Sequence, residues 1–402
     1  MNNTKTPHRR LAFLGRTSCA VALLLVLAGC QTYETQTSQY TQATRSGSLG
    51  EAVVQIDRQA EASAGKKDEI LFRLEQGTTL RSASMADPSE VPPIPVSAVE
   101  APVVEAPIVE PSAEGMVAEP APMAGPTAAE VHAYYHTRAI EAFDLAEAQV
   151  NQWEEEAKTK LGSEVGAALT NQANLPYRGR SYDKVMMNSY KALSYLALGE
   201  QDKARVELNR SLQRQRDAVE ANDKRIAEAQ EIEEKARKGE LKDEKGKSTS
   251  YDSSKAVKDP KAGPALQAAL DASIAPMQAY GDYVNPFAVF LDGLYYSVLG
   301  VDGSDFERGR KSFERVAGMV PENTYVLADL EAATMAAEGK ASEGVTYVIF
   351  ETGTAPKRDQ TRIDIPTFLV TSNLAYVGAS FPKLEYNDNY IPTLGISVGE
   401  ET

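Results

Sequence analysis

The proline-rich stretch over residues 88–126 constrains the fold of this chain more than any other feature. It holds about half of the 21 prolines, and neither lysine nor arginine occurs between Arg81 and Arg138. Proline blocks helices and removes strand hydrogen-bond donors, while the spaced glutamates of this stretch repel one another. We therefore predict a disordered linker over residues 85–127 that leans towards polyproline II. A proline-rich ligand for a groove is the alternative.

A helical hairpin is predicted immediately before this linker, over residues 49–84. Apolar residues recur there at helical spacing on both sides of Gly65, which breaks the pattern. The residues concerned are Leu49, Ala52, Val53, Ile56 and Ala60 before the glycine, and Ile70, Leu71 and Leu74 after it. Two short helices are marginal in water, so the hairpin must pack on another part of the protein.

The N-terminus has the three parts of an export signal. Arg9, Arg10 and Arg16 supply positive charge, residues 17–29 are uncharged, and residues 21–27 are wholly apolar. A bilayer core needs about 20 apolar residues, so this run is too short to span one. The alternatives are an uncleaved transmembrane anchor, which Arg16 argues against, and an ordinary secretory signal.

The apolar run ends in Leu27-Ala28-Gly29-Cys30, which resembles the lipobox of bacterial lipoprotein signals. That resemblance implies a signal peptide over residues 1–29, cleavage before Cys30, and lipid attachment to Cys30, including palmitate-type acyl chains. Two or more acyl chains hold a protein durably on a membrane. By analogy with Gram-negative lipoproteins, Gln31 favours the outer membrane, facing the periplasm. Residues 30–48 are predicted to form the lipidated cysteine and a flexible tether with a reach of roughly 20–25 Å.

Composition narrows the possible chemistry. The chain has two cysteines; Cys19 lies in the signal and Cys30 would be lipidated, which excludes a disulfide framework and a thiolate metal site. The formal net charge is -15, and removal of the signal makes the chain more acidic still. An acidic chain without a basic cluster is a poor candidate for nucleic acid, so we expect protein partners.

Helical signals return at Thr127, which begins a capping box with Glu130, and residues 128–343 are predicted to form a helical repeat domain. Small and aromatic residues recur there at the spacing of a tetratricopeptide (TPR) repeat. The candidate packing or groove residues are Tyr190, Ala192, Tyr195, Gly199, Ala204 and Leu208, followed by Gly293, Tyr296, Phe313 and Pro321.

A more specific resemblance extends over most of the chain after Leu49. Tyr177-Arg178-Gly179, residues 182–188, residues 190–193 and Asn285-Pro286-Phe287 resemble a TPR-like family of bacterial outer-membrane lipoproteins of uncharacterised function. Members of that family run on past the point where this chain stops. The resemblance therefore implies that the C-terminal part is incomplete.

The remaining segments divide into a long helix, a loop and a β region. The helix after Gly199 is predicted to reach about Gly239, and residues 245–263 to form a mobile loop. From residue 344 to 402 the apolar period changes to two, which predicts a small antiparallel β region. Its expected strands are residues 345–350, 362–365, 374–381 and 394–398.

Three local patterns suggest ligands, and each has a simpler interpretation. His132 and His136 lie four apart beside Glu130, but a metal site needs a further ligand, so we expect an ordinary helix start. Gly246-Lys247-Ser248 lacks the first glycine and the strand of a P-loop. Asp302, Ser304, Asp305 and Glu307 do not have EF-hand spacing, and a turn that begins a helix is the preferred interpretation.

The sequence as a whole predicts a mainly α fold of TPR-like repeats with a small C-terminal β region. The expected function is a lipid-anchored, protein-binding scaffold in the cell envelope, with a role in cell-wall or outer-membrane assembly or its regulation. No catalytic motif, cofactor or metal is predicted. One alternative is a wall hydrolase using Arg358, Asp359, Arg362 and Asp364; another is a structural tether. The oligomeric state and the partner are left open.

Overall fold

The computed structural model describes residues 33–95, 125–159, 176–238, 241–242, 248–249, 285–340, 345–366 and 376–385, with a few isolated positions besides. Two compact units make up the chain, Met1–Glu207 and Leu208–Thr402. Helices that pack in sequential pairs dominate the described ranges, which confirms the mainly α prediction. Among the described helices, none is long and apolar enough to cross a membrane.

The first unit contains six helices among its described residues and the start of a seventh. These are α1 (Tyr33–Gln36), α2 (Ser38–Ser46), α3 (Leu49–Ser63), α4 (Glu69–Ala83), α5 (Ala128–Thr159), α6 (Ser181–Ala197) and α7 (Gln201–Lys238), with a 3-10 turn at Pro88–Glu90. The predicted start of α5 is confirmed: the Thr127 amide donates to Glu130 Oε2 at 2.7 Å, and the Glu130 amide donates to Thr127 Oγ1 at 3.3 Å.

The core of the first unit lies where the α3–α4 hairpin packs on α5. Val53, Leu80 and Phe143 are each about 1% exposed there. Close approach of α4 to α5 requires Gly77, because a Cβ at this position would lie 2.5 Å from Phe143 Cε1. The hairpin prediction is confirmed, and its partner is the helix that follows the proline-rich stretch.

The predicted flexible tether was wrong from Tyr33 onward. Helix α2 buries Tyr40 and Ala43, which stand one helical turn apart and pack with Ile56 and Phe72 of the hairpin. The Tyr40 hydroxyl donates to Glu75 Oε2 at 2.8 Å. The buried face contains only two residues of α2. Among many Thr and Gln residues, so few apolar positions give no recognisable helical period. Cys30 and the signal lie outside the described residues.

The predicted linker was also wrong at its N-terminal end. Val91 and Ile94 are 7% and 6% exposed and belong to the core around Tyr135. The Tyr135 hydroxyl donates to the Pro92 carbonyl at 2.6 Å. Proline tolerates this extended course because its missing N–H is not needed and its carbonyl still accepts. Residues 96–124 of the predicted linker lie outside the described part.

The second unit is built on the remainder of α7 and on α8 (Pro286–Val298), α9 (Gly303–Met319) and α10 (Thr324–Ala337). Helices α8 and α9 cross closely because each contributes a glycine. A Cβ at Gly293 would lie 3.2 Å from Phe313, and a Cβ at Gly309 would lie 2.4 Å from Ser297 Oγ. The length predicted for α7 is confirmed, while most of the predicted loop 245–263 lies outside the described residues.

The C-terminal segments differ from the sequence prediction. Residues 345–350, predicted to be the strongest strand, form neither a helix nor a paired strand, so that prediction was wrong. They lie against α8 and α10, and the Tyr347 hydroxyl donates to Asp329 Oδ1 at 2.8 Å. Short strands β1 (Leu241–Lys242) and β2 (Ser248–Thr249) pair antiparallel.

Two longer strands, β3 (Lys357–Pro366) and β4 (Tyr376–Glu385), pair in antiparallel register, with Lys357 opposite Glu385 and Pro366 opposite Tyr376. The predicted segment 362–365 falls within β3, and 374–381 overlaps β4. Of the predicted strand 394–398, the two described residues are not in a strand.

Candidate functional site

The described residues of the second unit form a groove between three helices. Helices α7, α8 and α9 line it, and its volume is about 540 Å³. Leu208, Leu212 and Ala288 contribute apolar atoms, and the surface lining the groove is mainly apolar. The groove therefore offers a hydrophobic floor of the kind that binding pockets use.

Arg308 of α9 is a cation of this groove that hydrogen bonds and a ring contact hold in place. Its guanidinium donates to Asp292 through Nη2 at 2.5 Å and through Nε at 3.2 Å, and to Asn209 Oδ1 through Nη1 at 2.6 Å. Its Cζ lies 3.9 Å from the ring centre of Tyr296. Bidentate pairing and stacking fix the orientation of an arginine. Residues from α7 and α8 thus hold one positive group of α9 in place.

Three further cations stand around the groove, on two different helices. Arg216 lies on α7, while Lys311 and Arg315 lie on α9, and all three are exposed. The acidic residues in the lining are Asp292, which Arg308 engages, and Glu307. A hydrogen bond from Arg310 lowers the pKa of Glu307 to about 2, so that carboxylate is ionised at physiological pH. The lining still carries more positive than negative groups, in an acidic protein.

Five of the predicted repeat residues lie in the first unit and do not line this groove: Tyr190, Ala192, Tyr195, Gly199 and Ala204. Ala192 and Ala204 are completely buried, and Gly199 adopts a left-handed backbone conformation with a φ of 76°. Tyr190 stacks on Phe143 with ring centres 6.4 Å apart. Lys203 Nζ lies 5.4 Å from the Tyr195 ring centre. These residues pack the helices or flank them.

The other five lie in the second unit, and one of them, Leu208, reaches the groove. Tyr296 lies beneath Arg308. Gly293 and Phe313 form the α8–α9 contact instead, and Pro321 is exposed just after α9 ends. The cations were missed, although Arg308, Lys311 and Arg315 stand at positions i, i+3 and i+7, the spacing of one helix face.

A buried charge cluster lies in the first unit around Lys191, which is 1% exposed. Its ammonium lies 2.7 Å from Asp144, 2.8 Å from Glu147 and 3.1 Å from Glu207. Burial alone would lower the pKa of Lys191, but Glu207 and the other two carboxylates raise it above its usual value. Asn188 donates to Glu207 at 2.7 Å and so extends the cluster. The cluster ties α5, α6 and α7 together electrostatically.

The two histidines of α5 face the end of the hairpin. His136 Nδ1 is 3.1 Å from Ser84 Oγ, and His132 Nε2 is 3.2 Å from the Ala86 carbonyl. Burial first, and then the charge of Arg81, lower the pKa of His136 to about 4. Because the Ser84 hydroxyl donates to the Arg81 carbonyl at 2.6 Å, the pair is not arranged as a nucleophile and its base.

The other predicted patterns have structural roles or fall outside the described part. Asp302 caps α9 by accepting from the amides of Ser304 and Asp305, as the turn interpretation predicted. Over the described ranges, His, Cys, Asp and Glu side chains form no group of three that would hold a metal ion. Gly246 and Lys247 are outside these ranges. Arg358, Asp359, Arg362 and Asp364 fall in β3, and their side chains are outside the described part.

No protein-family model, curated protein or solved structure matches this chain significantly. The resemblance to TPR-like lipoproteins therefore stays a prediction.

Proposed function

We propose that this protein is a lipid-anchored scaffold of the cell envelope that binds another protein through the groove between α7, α8 and α9. Acyl chains on Cys30 hold it on the outer membrane, facing the periplasm. Its task is to hold a component of the machinery that builds or regulates the wall or the outer membrane. It acts by binding and not by catalysis.

The groove is the observation that carries this proposal. Its apolar lining supplies area that a partner side chain can bury, at roughly 25 cal/mol per Å². Arg308 is fixed beforehand by Asp292 and Asn209, so little ordering remains to be done when a partner binds. A partly apolar concavity with a few oriented polar groups is a general property of binding sites.

TPR-like repeats and a small C-terminal β region are the finer description of the fold that we propose. Two helix pairs support the repeats. Gly199 turns the chain between α6 and α7, and Gly293 meets Phe313 between α8 and α9. Repeat folds of this kind present binding surfaces built from successive helices.

Site-specific photo-cross-linking in cells tests the proposal. A photoreactive residue at position 311 stands at the groove, and one at position 235 is the matched control. Lys311 and Lys235 are both exposed, and each pairs with a glutamate four residues before it, Glu307 and Glu231 respectively. We expect a protein adduct of discrete mass at position 311 and none at position 235.

A second substitution separates groove binding from chance contact. Leu212→Glu places a carboxylate on the apolar floor and should abolish the adduct formed from position 311. An adduct that survives Leu212→Glu, or one that forms equally from position 235, would contradict the proposed role of the groove.

A further inference from the structure

We infer that the groove selects an acidic, aliphatic peptide segment of the partner, bound in an extended conformation. This inference rests on the proposed protein-binding function and names the chemistry of the partner. Its basis is the charge around the groove, the apolar floor, the volume of the groove and the spacing of the cations on α9.

The charge of the lining favours carboxylates. Arg216, Arg308, Lys311 and Arg315 bring four positive groups, against the two carboxylates of Asp292 and Glu307. The whole chain carries a formal charge of -15, so this cationic surface stands in a generally acidic field. Complementary charge steers the encounter with a partner and rejects partners of the wrong sign.

Arg308 is held in one orientation more firmly than the other cations of the groove. Asp292 is only 4% exposed and accepts from Ser312 Oγ at 2.7 Å as well as from Arg308. The carboxylate therefore supports Arg308 from within, whereas Arg216, Lys311 and Arg315 are exposed. We assign Arg308 the role of a positioned anchor and the exposed cations the role of adaptable contacts.

The apolar floor favours aliphatic side chains between the carboxylates. Leu212 is partly exposed and lines the groove, above Leu208, Ala288 and Val289, which are almost completely buried. Methyl and methylene groups of a partner would be removed from water there, at about 0.8 kcal/mol for each methylene. A purely charged ligand would leave this surface uncovered.

The size of the groove favours a short peptide segment. Its volume of about 540 Å³ falls in the range of roughly 300–1,000 Å³ over which binding pockets take up small ligands. The extended conformation is assigned from the spacing of the cations on α9.

The positions of the cations on α9 fit such a segment. Arg308 and Arg315 are seven residues apart, which is about 10 Å along the helix axis. In a polyproline II peptide, residues three apart are separated by about 9 Å and point to the same side. Glutamates at every third position would therefore reach both arginines, with aliphatic residues between them facing the floor.

Fluorescence anisotropy with a defined probe tests the inference on the full mature chain. The probe is a labelled peptide of four Ile-Glu-Pro repeats, and the control probe has glutamine in place of glutamate. We expect the acidic probe to bind at least about tenfold more tightly than the neutral one, because charged contacts set specificity. Its affinity should fall about fivefold or more between 0.05 and 0.5 M salt, because salt screens these exposed charges.

Paired charge reversals locate the binding. Arg216→Glu with Lys311→Glu alters the groove, while Lys235→Glu with Lys238→Glu alters two exposed lysines of α7 that pair with Glu231 and Glu234. Both double variants change the net charge equally. We expect about a tenfold loss of affinity for the first and less than a twofold change for the second.

Each outcome bears on one of the two proposals. Equal binding of the acidic and neutral probes, or equal losses in the two double variants, would overturn the inference about an acidic partner. Cross-linking from position 311 would still report groove binding in that case, so the proposed function would stand. Absence of the adduct from position 311 would overturn the proposed function itself.

Discussion

Arg308 and Asp292 form a two-point ion pair, in which the guanidinium donates to one carboxylate oxygen at 2.5 Å and to the other at 3.2 Å. Asp292 is nearly buried, while the Arg308 side chain is 28% exposed. The pair thus joins the interior of the α8–α9 contact to the surface of the groove. Its geometry sets where the anchor cation stands.

Asp292→Asn should destabilise the protein by about 2 kcal/mol, because it leaves a half-buried guanidinium short of a carboxylate. Partial exposure of Arg308 keeps this loss below that of a fully buried pair. Urea denaturation followed by circular dichroism measures it. In a cycle with Arg308→Gln, the two changes should be coupled by about 1–2 kcal/mol. Strictly additive changes would show that the pair is not coupled.

Lys191→Met should cost about 3–5 kcal/mol, because the carboxylates of Glu147 and Glu207 would then lie buried without a countercharge. Their pKa values would rise in the folded variant. The variant should consequently be closer to the wild type at pH 5 than at pH 8. Lys203→Met is the control, since Lys203 is 60% exposed, and it should leave the denaturation midpoint unchanged. A Lys191→Met protein as stable as the wild type would show that the cluster does not join the helices.

Gly309→Ala should destabilise the second unit by about 1–3 kcal/mol. Its new Cβ would lie 2.4 Å from Ser297 Oγ and 2.9 Å from the Ser297 backbone nitrogen, which cannot move aside like a side-chain end. Gly318 lies on the same helix and has nothing within 4 Å of its added Cβ. Gly318→Ala should therefore be neutral or stabilising by up to about 1 kcal/mol. The thermal unfolding midpoint should fall for Gly309→Ala and stay unchanged or rise for Gly318→Ala. Similar losses in the two variants would contradict the close crossing of α8 and α9.

Because of His136, the free energy of unfolding should decrease as the pH falls below the ordinary pKa of histidine. Its pKa is lowered to about 4 in the folded protein, so the unfolded chain binds more protons than the folded one between about pH 6.5 and 4. Stability is complete above this window and is lost as the pH falls through it. Between pH 7 and pH 4.5 the wild type should lose about 2 kcal/mol more than His136→Gln. Parallel pH curves for the two proteins would rule out this contribution.

Wherever apolar residues recur with a clear helical period, the sequence predicted the fold well. The hairpin around Gly65, the length of α7 and the glycine contacts of α8 and α9 follow from residues whose effect is local. The errors lie where burial depends on distant partners. Tyr40 and Ala43 are buried by Ile56 and Phe72, and Val91 is buried beside Tyr135. Residues 345–350 have the composition of a strand, but α8 and α10 lie beside them instead of a paired strand.

The groove was predictable only in part. Leu208 and Tyr296 carry a repeat signal because they pack helices, and packing constrains residue size along the sequence. Arg308 and Asp292 lie on different helices, and Asn209 comes from a third. No spacing in the sequence marks such a meeting. The face formed by Arg308, Lys311 and Arg315 was visible as a pattern, but an exposed basic stripe gives no sign of the apolar floor beside it.

The proposed place of this protein in the cell envelope depends on its attachment to a membrane through Cys30. Fractionation of cells carrying Cys30→Ala tests this attachment. The wild-type protein should sediment with membranes, resist extraction by high salt and be released by detergent, because acyl chains hold it by burial in the bilayer. The Cys30→Ala protein should appear in the soluble fraction. If it stayed as firmly bound as the wild type, the lipid anchor, and with it the proposed place of the groove beside the envelope machinery, would be contradicted.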